Sequence, residues 1–592
     1  MEAHPDLLVA SGSCNAYSGV GDSYLPFREV VGMLTADVEG RWLAGAVSTG
    51  HARRLWNSLP LVVQALLEHG PHVTGVLVPE TPLLSRAALW CAAEGEQQSA
   101  PWLQRLRERV ERQQGGPGEL EQSHLFQQVT HVLRHLAEAH PLLLILDDLQ
   151  WADTASLGLL FHLGRRLEGA RILVAGAYRS EEVALGRGRK RHPLEKVLGE
   201  LKRTYGDVWL DLVEVEKRER LRFVDALLET EPNRLKEGFR RALSDHAGGQ
   251  PLFTIELLRA MQARGDLVQD EAGHWIEGPV LDWETLPARV EGVIAERIGR
   301  LGPDLREILS VASVEGEEFT AQVVAQVQDV SERQLLRALS QELQKRHRLV
   351  REQGVVRVGQ QHLTRYRFAH ALFQQYLYAN LGKGERLLLL GQIASVLEEL
   401  YQGSTETVAV RLAHHYSEAG DDSSALKHYA LAGDVALASF ANREAEAHYR
   451  RALRLSPGEP QRALLLSGLG RALSRQGHFQ EAIQTWREAI GLCRALGDSS
   501  EMAWLYGRSA EAAAEAGDSL ESLRLCQEGL AALSGAPEGI GLAHLLCEAG
   551  ARYAYGGMLD KGLSLCQRAL EMAERLGAVE VQADALAWLG RY

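Results

Sequence analysis

Residues 142–153 read LLLILDDLQWAD. Five consecutive aliphatic residues followed by two carboxylates form the pattern of a buried strand with an acidic C-terminal tip. Neighbouring residues on a strand point to opposite faces. At the strand end the chain turns, and Asp147 and Asp148 can then both reach a ligand. The first can hold Mg2+ through water, and the second can orient or deprotonate an attacking water. The string also has a plainer reading, in which Asp148 or Asp153 is the N-cap of the following helix. The two acids alone do not separate these readings.

Working outward, LLVAS (7–11), RILVAGAYR (171–179) and VWLDLVEV (208–215) read as further short strands. Between them LFQQVTHVLRHLAEAH (125–140) and TASLGLLFHLGRRLEG (154–169) repeat with helical period. Apolar strands separated by helices predict a parallel sheet covered on both faces, with ligands beyond the C-terminal strand ends. That edge holds Asp147, Asp148 and Arg179. Residues 216–265 read as helices, and LVQDEAGHWIE reads as a hairpin turning at Glu271–Gly273. From Pro287 to about Leu400 helices resume. Two β segments lie near RLVREQGVVRVG and YRFAH, which suggests a winged-helix module.

Three C-terminal loops align at a 40-residue step, at Gly477, Gly517 and Gly557. Before each lies a small residue, Gly470, Ala510 and Gly550. After each, Trp486, Cys526 and Cys566 share a phase, as do Ala489, Gly529 and Ala569, and Ile490, Leu530 and Leu570. Each unit reads as helix, tight turn, helix. Small residues let the paired helices approach, and large ones fill the space between units. Residues such as Arg471, Arg508 and Glu511 are then expected on the partner-binding face, and Glu521 on the surface. A plain helical bundle is the alternative. The last helix, VQADALAWLGRY, has no capping helix after it, so the array is expected to continue.

Composition narrows the class. The 592 residues carry 64 basic and 78 acidic side chains, a net charge of -14, which argues against non-specific nucleic-acid binding. The longest apolar stretch is far short of a membrane span, and the N-terminus MEAHPDLL is no secretory signal. Six scattered cysteines give neither a disulfide framework nor a zinc spacing, and a reducing cytoplasm is the expected compartment. The basic GRGRKRH (186–192) reads as a solvated loop or a phosphate contact, and His414–His415 as packing on a repeat helix. No Gly-x-Ser-x-Gly elbow occurs.

DDLQWAD, then LVAGAYRSEEV, then GGQPLF further on, resembles the STAND branch of the AAA+ ATPases. The later LPARVEGVIAERIGRLGPDLREILSVASVEGEEF and RYRFAHALFQQYLYANLGKGERLLLLGQIASVLEEL resemble that family's winged-helix module. The repeats resemble tetratricopeptide repeats with a longer period than usual. The order of elements is similar to bacterial cyclase-associated ATPases, the C-terminal part of soluble adenylyl cyclases and large LuxR-type regulators. The resemblance implies an incomplete P-loop NTPase-like α/β domain (1–215), a helical lid with a hairpin (216–286), a winged helix (287–400) and an all-α solenoid (401–592). It implies ATP or ADP with Mg2+ as cofactors. Asp147 would hold Mg2+ through water, Asp148 would activate water, and Arg179 would sense the γ-phosphate. Gln250 and Pro251, of the Gly249-Gln250-Pro251 motif, would lie near the adenine. His370 would reach the phosphates, with a structural role at a helix start as its alternative. A protein partner or small-molecule inducer would bind the repeats, self-assembly is a family expectation, and neither membrane nor direct nucleic-acid binding is expected. One departure stands out. No G-x4-G-K-[ST] occurs. The only Gly-Lys is Gly382-Lys383, and SGVGDS (18–23) lacks the lysine. The expected place for the phosphate loop is therefore N-terminal to Met1, with loss of the loop, leaving a nucleotide-free scaffold, as the alternative.

Overall fold

The computed structural model describes residues 4, 6–14, 22–93, 100–112, 122–185, 191–206, 208–248, 250–279, 281, 283, 286, 289–359 and 361–591. They form two compact units: Met1–Thr204 together with Tyr401–Tyr592, and Tyr205–Leu400.

In the first unit, β1 (Leu8–Ser13), β2 (Leu142–Asp147) and β3 (Ile172–Gly176) form a parallel sheet in that order. Leu8 stands opposite Leu142, and Leu142 opposite Ile172. The central strand β2 buries Leu142, Leu144 and Leu146 on one face. Helix α1 (Gln122–Ala139) buries Val129, Leu133 and Leu136, at i, i+4 and i+7. Helix Thr49–His69 likewise buries Leu55, Leu59, Val62 and Leu66. Gly12 is a glycine of close approach, because a Cβ there would lie 2.0 Å from the carbonyl oxygen of Pro26. The sheet is incomplete on its β3 side. Leu173 is 64% exposed, and no strand among the described residues pairs with the outer edge of β3. A parallel sheet of this class is normally covered on both faces.

One predicted strand is absent. Residues 208–211 have no regular structure, and Leu212 opens the helix Leu212–Leu228. Leu221, Val224 and Leu228 recur at helical spacing, with Val224 and Leu228 buried, and the helix they belong to takes in the second half of the expected strand. No described strand is there to pair with it.

The second unit has a helical core in which Val224, Phe239, Leu243, Leu257, Met261 and Val293 cluster. Strands β4 (Leu267–Gln269) and β5 (Trp275–Glu277) form an antiparallel hairpin. Beyond it, β6 (Glu318–Thr320), β7 (Val350–Val358) and β8 (Gln361–Phe368) form an antiparallel sheet in the order β6-β8-β7. Phe319 packs on Tyr366 and Phe368, with ring centroids 6.0 and 5.3 Å apart.

The remainder of the first unit is a stack of helices. We label α2 (Thr154–Gly164) after the sheet, and in the stack α3 (Asn442–Arg454), α4 (Glu459–Ser474), α5 (Phe479–Leu496) and α6 (Ser499–Glu515). Ser519–Ala532, Ile540–Tyr555, Leu559–Leu576 and Val579–Arg591 continue it. The turn glycines Gly477, Gly517 and Gly557 all have positive φ, 78°, 82° and 84°, so each is a left-handed turn that favours glycine. The small positions are forced. A Cβ on Gly470 would lie 2.2 Å from Nε1 of Trp486, one on Gly550 would lie 2.5 Å from Sγ of Cys566, and Ala510 is fully buried. Glu521 corrects the surface expectation: it pairs with Arg487 and, at 2.8 Å, with Arg524. All six cysteines are buried.

Candidate functional site

The acidic tip is built by the end of β2. Asp147 is the last strand residue and is exposed. Asp148 follows with φ 55° and ψ 40°, a left-handed backbone that Asp tolerates better than most residues. This turn lets both carboxylates stay at one edge despite the strand's alternation. Oδ1 of Asp147 accepts from the Asp148 amide at 2.9 Å.

The turn Leu149–Trp151 is held by a residue that the sequence reading passed over. Gln150 is buried. Its Nε2 donates to Oδ1 of Asp148 at 2.9 Å, and its Oε1 accepts from the Arg179 amide at 3.1 Å. One amide side chain thus ties the tip of β2 to the segment after β3. The carbonyl of Gln150 is in turn bonded to Nε2 of the buried His192 at 2.9 Å, and Nδ1 of His192 accepts from the Leu194 amide. That arrangement fits a neutral imidazole with its proton on Nε2. Of the basic cluster 186–192, His192 is therefore interior, while residues 186–190 lie outside the described residues.

Arg179 stands three residues past the end of β3. Its guanidinium lies 5.3 Å from the Trp151 ring centroid and 3.2 Å from Glu182. Trp151 Nε1 also donates to Glu182, at 2.9 Å. Asp147, Asp148 and Arg179 thus share one sheet edge, with Arg179 folded back onto Trp151 and Glu182. No signal beyond adjacency to the acidic pair marks Gln150 or Trp151 in the sequence.

Capping falls to a different residue from the acidic pair. Asp153 is the N-cap of α2, accepting from the Ser156 amide at 2.8 Å, while Asp148 makes no side-chain cap bond. The plainer reading of the string therefore holds for Asp153 and not for Asp148.

Gln250, Pro251 and His370 belong to the second unit. Gln250 precedes the helix Pro251–Arg264, and Pro251 occupies its first turn, where a missing N–H costs nothing. Gly249 lies outside the described residues. His370 caps the helix Ala371–Asn380, its Nδ1 accepting from the Leu372 amide at 3.1 Å. Residues 18–21 of SGVGDS also fall outside the described residues.

Residues 10–175 match the family model described as AAA ATPase domain. The chain thus carries an AAA ATPase domain over these residues, and its C-terminal part is the stack of repeated helix pairs described above. No curated protein matches it. Among solved structures it is similar to a Signal Transduction ATPase with Numerous Domains protein with a tetratricopeptide repeat sensor from Pyrococcus horikoshii. That match has 11% identity and a TM-score of 0.26, over 78% of this chain and 73% of that one. It is also similar to BtubC from P. vanneervenii, with 18% identity and a TM-score of 0.27, over 34% of this chain and 86% of that one. A third similar structure is YrrB, described as a tetratricopeptide protein with an unusual peptide-binding site. There the identity is 21% and the TM-score 0.25, over 34% of this chain and 90% of that one. No helix among the described residues is long and apolar enough to cross a membrane.

Proposed function

We propose that this chain is the core of a STAND-type signalling ATPase of the cytoplasm, in which ATP or ADP sets the state of a switch. Residues 216–286 serve as the helical lid and 287–400 as a winged-helix packing module. The repeats receive a protein or small-molecule signal, and a separate effector, transcriptional or nucleotidyl cyclase, carries the output. The observation that supports this reading best is the acidic tip: two carboxylates at the end of the central strand, with Gln150 linking Asp148 to the Arg179 backbone.

The donor set fits Mg2+. Both tip residues offer carboxylate oxygens, the hard ligands Mg2+ takes, and Asp147 is exposed enough to act through water. Bound there, Mg2+ would supply charge neutralisation for a phosphate group. Asp148 is placed to orient water, held by Gln150, and Arg179 to read a terminal phosphate after leaving Glu182. The residues do not furnish the rest of the site. A phosphate cradle needs consecutive backbone N–H groups at a helix start with Lys and Ser/Thr, and the 592 residues contain no such motif.

The test uses the chain extended upstream of Met1. Asp148→Asn should bind ATP and hydrolyse it far more slowly, and Asp147→Ala should lose the Mg2+ dependence of binding. If both variants hydrolyse ATP at the parent rate, the tip is structural and the relic-scaffold reading takes its place.

A further inference from the structure

The first unit contains a cleft of about 880 Å³ walled by α1 and α2 on one side and by the repeat helices α3–α6 on the other. That volume is in the range of small-molecule sites. Its lining is unusual for a chain of net charge -14. Four arginines, Arg443, Arg471, Arg475 and Arg508, border it. Four helices also begin there, because Gln122, Thr154, Asn442 and Phe479 are the first residues of α1, α2, α3 and α5. Helix starts present the positive end of the helix dipole, although the first amides of α2 are already taken by Glu444 and Asp153.

The acids in the cleft are largely engaged. Glu511 pairs with Arg508 at 2.9 Å. Glu444 accepts from the Thr154 amide at 2.7 Å and also from the Thr154 hydroxyl. Glu515 is exposed at its rim. Arg475 is held in place, its guanidinium donating to the Leu437 carbonyl at 3.0 Å and lying 5.6 Å from the Phe440 ring centroid.

We propose that this cleft binds a small organic polyanion, with phosphate or carboxylate oxygens on the arginines. Bound between the sheet-domain helices and the repeats, such a ligand touches both parts of the unit. It is the small-molecule signal that the sensor reading above calls for, and on that point the inference rests on that reading.

The test is calorimetry on the full chain without magnesium, so that nucleotide binding is measured separately and either can fail alone. Citrate, tricarballylate (citrate without its hydroxyl) and pyrophosphate are the probes. Saturable binding of a carboxylate or of pyrophosphate is expected and tells which oxygen class the site prefers. Arg443→Ala with Arg471→Ala, both at exposed positions, should weaken it about tenfold or more. Asp147→Ala should leave probe binding as it is. Binding of none of the probes, binding indifferent to loss of both arginines, or binding lost with Asp147→Ala would overturn the inference.

Discussion

At the scale of single residues, the decisive feature is how polar side chains are held. Gln150 is buried and bonds to both Asp148 and the Arg179 backbone. Gln150→Leu should lower stability by about 1–3 kcal/mol, because two partners lose their bond. A drop in the thermal midpoint measures it. Glu444 makes a second prediction. Burial first, and then the neighbouring Asp153, push its carboxyl up to about 7. Folding therefore retains a proton that the unfolded chain has lost, so stability falls as pH rises from the ordinary carboxylate range through about 7. Glu444→Gln, which is neutral throughout, should flatten that part of the melting-temperature profile and raise the midpoint on its alkaline side. Equal slopes for parent and variant would show that Glu444 ionises freely. The placement of Asp147, Asp148 and Arg179 at one sheet edge was legible in the sequence, because short apolar strands that end in polar residues bring those residues to the C-terminal edge. Gln150 and Glu444 were not. A glutamine after a strand gains its role only from the turn that buries it, and nothing in the sequence joins residue 444 to residue 154.

At the scale of elements, spacing carried most of the information. The 40-residue step placed Gly470, Ala510 and Gly550 where helices meet, and Trp486 and Cys566 stand against the two glycines. Ala510→Leu should overpack the stack by about 1–3 kcal/mol, while exposed Gln480→Ala should stay within about 0.5 kcal/mol. Thermal midpoints of the full chain decide it. A silent Ala510→Leu with a damaging Gln480→Ala would mean that the repeat register is wrong. Spacing misled at VWLDLVEV, where a short apolar alternation fits strand and helix alike: residues 208–211 have no regular structure and the rest belongs to the helix Leu212–Leu228. It was also blind to ion pairing: Glu521 looks like a surface residue until Arg487 and Arg524 are brought to it.

At the scale of the whole molecule, the sheet and the repeats belong to one compact unit, although some two hundred residues of chain separate them. A linear reading divides the chain in order and does not foresee that return. The sequence and the structure agree on a parallel sheet with an acidic tip; the sequence holds no phosphate-loop motif, and Leu173 on β3 is exposed where a covered sheet was expected. The central claim is that this tip is one half of a nucleotide site. Calorimetric titration of the 592-residue chain with Mg·ATP tests it most directly. The account predicts weak binding or none, and tight, Asp147-dependent binding once a segment bearing a phosphate loop is joined upstream of Met1. A dissociation constant at or below the low micromolar range for the 592 residues alone would contradict it.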